Sequence, residues 1–61
     1  MHETILEVLM KRDNMEESEA FEMIEEAKDD LYAQLSMGMV DEAEFMRDWF
    51  GLEPDYIIEL L

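Results

Sequence analysis

Apolar residues recur at helical spacing along most of the chain, with charged residues filling the positions between them. Ile5, Leu6, Leu9 and Met10 share one stripe with Val8 beside it, while Glu3, Glu7 and Lys11 take the other side. The spacing predicts a helix from about Glu3 to Arg12, in which Glu7 and Lys11 are oriented for an i,i+4 ion pair. Lys11 and Arg12 fall in its last turn, where positive charge suits the helix dipole. Asn14 follows, at a position that takes a left-handed backbone.

Met15-Glu16-Glu17-Ser18-Glu19-Ala20 opens a second helix. Its N-cap falls at Glu16, with Glu19 at N3 and Met15 stapled onto Ala20, or slips to Ser18. Ala20, Ile24, Ala27, Leu31 and Leu35 form its apolar stripe, flanked by Met23 on one side and by Phe21 and Tyr32 on the other. The helix runs to about Met37, where Gly38 closes it; its roughly 20 residues reach ~30 Å. Asp41 then caps a third helix with Glu44 at N3 and Val40 stapled onto Phe45. Ala43, Met46 and Phe50 share a face beside Phe45 and Trp49, and Gly51 ends the helix. Pro54 and Asp55 start a fourth, short helix, with Leu52 placed to staple onto Ile57. No strand alternation, glycine-rich loop, repeat or linker interrupts this order. The expectation is an all-α fold: a small, compact, single helical domain over residues 1–61, with three main helices plus a short C-terminal one. Its expected core is Ile5, Leu9, Ile24, Ala27, Leu31, Leu35, Phe45, Trp49, Leu52 and Ile57.

Composition sharpens this picture. The 61 residues carry 18 acids against 4 Lys and Arg, a formal charge of −14, yet 49% are hydrophobic. High charge with low hydrophobicity would mean disorder, but here only the first condition holds. The charge excludes a binder of the nucleic-acid backbone, whose affinity comes from Lys and Arg on phosphates. It argues equally against an anionic membrane surface. A folded chain of this length buries only ~60% of its unfolded surface, so self-association is a standing alternative. The longest uncharged run, Leu31 to Val40, is too short to span a bilayer, and the N-terminus lacks a basic signal-peptide start. The expected location is the cytoplasm.

Lys11-Arg12-Asp13-Asn14-Met15, the run from Glu19-Ala20 through Ala27, and Phe50-Gly51-Leu52-Glu53-Pro54-Asp55-Tyr56 together carry a resemblance. The chain resembles a group of small uncharacterised acidic helical proteins of bacteriophages, plasmids and related bacterial genomes. The Phe50–Tyr56 tail is its distinctive part. Asn14 and Glu16 depart from the glycine and the Ser or Thr that the group's pattern would place there. The resemblance implies a mobile-element protein and brings no activity with it.

Catalytic chemistry finds few materials. Cysteine is absent, so disulfides and thiolate metal sites are excluded. Ser18 and Ser36 lie on the long helix, away from His2 at an expected frayed terminus, and no Glu-x-x-His pair or calcium-loop pattern occurs. The reading is of a non-enzyme with no cofactor and no metal. Met10, Met15, Met23 and Met46 lie at or beside core positions as gap-fillers, whereas Met37 and Met39 flank Gly38 as candidates for contact between subunits.

The acids themselves ask for an account. Eight crowd the stretch from Glu16 to Asp30, answered only by Lys28. Glu22/Glu26, Glu25/Asp29 and Glu26/Asp30 are like-charged at i,i+4, each costing roughly 0.2–0.5 kcal/mol. A solvated face kept soluble by charge is the plain explanation. The sharper one is an acidic ligand for a protein with a basic surface, including charge mimicry of nucleic acid by a phage or mobile-element inhibitor. Glu19, Glu22, Glu25, Glu26, Asp29 and Asp30 would then meet the partner. The competing expectation is a homodimeric assembly module joined through Met37, Met39, Trp49, Phe50, Tyr56, Leu60 and Leu61, since two short helices offer little room to hide so many large apolar residues.

Overall fold

The computed structural model describes residues 3–61 and is all-helical among them. Met1 and His2 lie outside the described residues, and with them the expectation for the histidine. Helix α1 spans Ile5–Arg12, α2 Glu17–Met37 and α3 Glu42–Phe50, and a 3-10 helix spans Pro54–Glu59.

Each boundary has a local cause. Thr4 caps α1: its hydroxyl accepts from the Glu7 backbone N–H at 3.2 Å while the Glu7 carboxylate accepts from the Thr4 backbone N–H at 3.2 Å. These bonds from the Thr4 backbone and hydroxyl hold the Glu7 carboxyl below its ordinary range. Glu7 is thereby drawn back toward the N-terminus, and Lys11 lies 3.7 Å from Glu3 in place of the expected Glu7 partner. Asn14 has φ +55°, the left-handed turn foreseen after Arg12. Glu16 is the α2 N-cap, contributing an extended backbone but no side-chain bond.

At the far end of α2, the Gly38 N–H donates to Leu35 O and the Met39 N–H to Gln34 O, both at 3.0 Å, with Gly38 at φ +69°. This is the Schellman arrangement, and it satisfies carbonyls that the helix leaves open. Asp41 caps α3 by accepting from the Glu44 N–H at 3.2 Å, and Gly51 closes it at φ +66°. The last element, expected as a short α-helix, is wound as a 3-10 helix. Tight i→i+3 bonds from Tyr56 N–H to Glu53 O and from Leu60 N–H to Ile57 O flank it, as suits a piece of six residues.

α1 packs along α2, and the 3-10 helix folds back on α3 after the Gly51 turn. One apolar cluster joins all four elements: Ile5 and Leu9, then Ala20, Ala27 and Leu31, then Phe45, Met46 and Phe50, with Ile57 and Leu60 from the C-terminal segment. Ile24, Trp49 and Leu52 pack against its edge, half-buried. Leu35 is a correction, since 42% of it faces solvent. Each i+4 step rotates about 40° around a helix, so Ala27, Leu31 and Leu35 walk progressively off the core face. Phe50 and Leu60 take burial that the expected core had not given them, and Met46 is fully buried, whereas Met10, expected at or beside the core, is 37% exposed.

Polar bonds between distant segments complete the fold. The Ile5 N–H donates to Glu59 Oε1 at 3.0 Å, which satisfies a first-turn donor of α1 from the far end of the chain. The Arg12 guanidinium donates to the carbonyls of Phe50 and Gly51, placing a positive charge at the C-terminus of α3. Its other donors hold Asp13 Oδ1 and Oδ2 at 3.0 and 3.1 Å, which pulls the Asp13 carboxyl down and raises Arg12 itself. A radius of gyration of 11.3 Å and a longest extent of 33 Å match a molecule built on one long helix. Among the described residues no helix is long and apolar enough to cross a membrane.

Candidate acidic interface

The α2 helix divides into three sectors around its axis. Ala20, Ala27 and Leu31 face the core, while Glu19, Glu22, Glu25, Glu26 and Asp29 stand exposed on the side away from it. Between these sectors lies a strip with Phe21, Lys28, Tyr32 and Leu35. Of these five exposed acids of α2, Glu25 alone has an ion-pair partner among the described residues, Lys28 at 3.9 Å. A 21-residue helix holds the remaining carboxylates in a fixed row, one turn apart at ~6 Å.

Asp30 differs from its neighbours. Its Oδ2 accepts from Gln34 Nε2 at 3.0 Å and from Trp49 Nε1 at 3.1 Å, so it is half-buried and joins α2 to α3. The sequence grouped it with the free acids, but its first work is structural. Beside it opens a cleft of about 210 Å³ between the two helices. Asp41, Glu44 and Asp48 line this cleft with Asp30, around Phe45, Trp49, Gln34 and Met39. The sequence marks Asp41 and Glu44 only as the cap and N3 acid of α3, although the i, i+3, i+7 spacing of Asp41, Glu44 and Asp48 places all three on one side of it. Among the described residues no three potential metal ligands converge.

The residues named for self-association separate into three groups. Phe50 and Leu60 are buried within the monomer, which corrects their assignment to a surface. The Gly51 turn lays the 3-10 helix against α3 and directs Phe50, Ile57 and Leu60 inward together. Trp49 and Tyr56 are half-buried against the same core. Met37 and Met39 remain 65% and 72% exposed around the Gly38 turn, and Leu61 is exposed as well. Ile58 and Phe21, absent from the expected set, also face solvent. Ser18 and Ser36 are exposed polar positions on α2. No protein-family model, curated protein or solved structure matches the chain.

Proposed function

We infer that the protein is a non-catalytic interaction module of phage or mobile-element type, whose acidic face binds a basic surface on a protein partner. The observation that carries this reading is the row of exposed carboxylates on α2, left almost unanswered by cations and extended through Asp30 to Asp41, Glu44 and Asp48. The like-charged i,i+4 pairs on α2 work against folding, and an interface that needs them gives a reason to keep them. A partner that binds nucleic acid has the matching basic groove, and a rigid row of carboxylates occupies it as a row of phosphates would. The protein itself then makes no contact with nucleic acid.

The experiment is affinity capture from a host lysate at low and moderate salt, with the parent chain and the triple variant Glu22→Lys, Glu26→Lys, Asp29→Lys. Each exchange adds two charges, so −14 becomes −8. The variant keeps its helical circular dichroism, since all three positions are exposed. Capture of a basic partner by the parent falls steeply with salt, and the variant captures none. Equal capture by both chains overturns the reading.

A second reading is a homodimeric helical module. It is favoured by the large apolar side chains that the monomer leaves in solvent, among them Phe21, Tyr32, Leu35, Met37, Met39, Ile58 and Leu61. The two readings respond oppositely to salt, because self-association of an acidic chain strengthens as its repulsion is screened.

A further inference from the structure

The apolar strip of α2 has an internal symmetry. Phe21 and Leu35 stand seven residues either side of Lys28, and Ile24 and Tyr32 stand four residues either side of it. Seven and four residues are both close to whole turns, so all five positions share one flank of the helix. Phe21 is 57% exposed, Tyr32 51% and Leu35 42%, while Ile24 is half-buried at the edge of the core. The strip runs ~21 Å from Phe21 to Leu35, long enough for a helix–helix contact.

We propose that two copies of this chain pack their α2 strips antiparallel about a two-fold axis at Lys28. The proposal rests on the homodimer reading and moves its contact from the aromatic end to one flank of α2. A sequence symmetric about one residue is self-complementary under such an axis. The rotation brings Phe21 level with Leu35 of the second copy, and Ile24 level with Tyr32 of the second copy. The charge pattern favours the same occupant. Lys28 already has Glu25 at 3.9 Å, and the dyad adds the second copy's Glu25 on the same side, so two lysines and two glutamates form a neutral quartet at the centre. The acidic row stays outside the contact and faces solvent on both copies. A standard interface takes ~800 Å² per partner, about a fifth of the 4366 Å² this chain exposes. The strip alone is narrower than that, so the dimer forms at high protein concentration.

The absence of cysteine makes the test direct. Lys28→Cys puts a single thiol on the proposed axis, and Glu26→Cys puts one on the acidic row as a control; both are compared at high salt, which screens the two glutamates left when the lysines are removed. Treatment with a short bis-maleimide links Lys28→Cys into a covalent dimer and leaves Glu26→Cys monomeric. Sedimentation equilibrium from micromolar to millimolar protein, at low and high salt, measures the dimer of the parent chain. The variant Phe21→Ser, Leu35→Ser raises its dissociation constant about tenfold or more, the effect of removing apolar contacts from both ends of the strip. Both positions are exposed, and unchanged circular dichroism confirms that the monomer folds. A parent chain that stays monomeric throughout overturns both the dimer and this surface, leaving the strip to a different occupant. A parent dimer that the double variant forms equally well, and that links through position 26 as readily as through 28, overturns this surface alone.

Discussion

Gly38 isolates the energetics of a single residue. Its φ of +69° is a conformation in which a side chain clashes with its own backbone, and a Cβ built there meets nothing within 4 Å. Gly38→Ala therefore changes backbone strain and almost no packing, and its expected cost is ~1–2 kcal/mol by urea denaturation. Gly51 has the same backbone conformation, with Arg12 Nη1 at 3.5 Å from the corresponding Cβ position, an ordinary van der Waals contact. Substitution there costs backbone strain and leaves room for the guanidinium that caps α3. These glycines were legible in the sequence because a left-handed helix stop is a local demand on one residue. The Thr4–Glu7 box is equally local, and the T-x-x-E spacing announces it. Asp30 carries no such signal. Nothing in its neighbourhood in sequence marks it as the one acid that meets the indole of Trp49, nineteen residues away.

At the scale of elements, helix existence followed from periodicity, whereas burial depended on which elements meet. α1 has eight residues and α2 twenty-one, so a single short neighbour cannot cover the long helix along its whole length. The 3-10 helix packs on α3, and Leu60 reaches the shared core from beyond the last helical residue. A terminal leucine reads in sequence as surface because the packing of the 3-10 helix on α3, which draws it inward, is a tertiary event. The consequence can be measured. Leu60→Ala removes a fully buried side chain and is expected to cost about 2–5 kcal/mol. The whole stability of a chain this size is only about 3–9 kcal/mol at ~0.05–0.15 kcal/mol per residue. Leu60→Ala should thus shift the urea midpoint severely or abolish the transition, while Leu61→Ala, at an exposed position, should leave it nearly unchanged.

The whole molecule is a small core under strong self-repulsion. Three like-charged i,i+4 pairs on α2 cost together ~1 kcal/mol, and the remaining excess of −14 adds a diffuse field. Salt near 0.5 M shortens the screening length to a few ångströms, and relief of ~1 kcal/mol moves the melting temperature by about 4–8 °C in a domain of this size. Thermal circular dichroism should show that rise in the parent chain and a much smaller one in the Glu22→Lys, Glu26→Lys, Asp29→Lys variant, whose repulsion is already reduced. A flat response in the parent would place the acids too far apart to repel.

Trp49 is the chain's single tryptophan, and its indole N–H is held by the carboxylate that joins α2 to α3. One fluorophore therefore sits at the seam between the spine and the aromatic end, beside Asp41, Glu44 and Asp48. Its emission is an optical gauge needing no label. Parting of the two helices hydrates the ring and moves the maximum to the red, whereas a basic side chain seated in the cleft alters intensity and shields the ring from acrylamide. The same half-buried contact that locks the helices together makes undocking and occupancy readable as two different spectral changes.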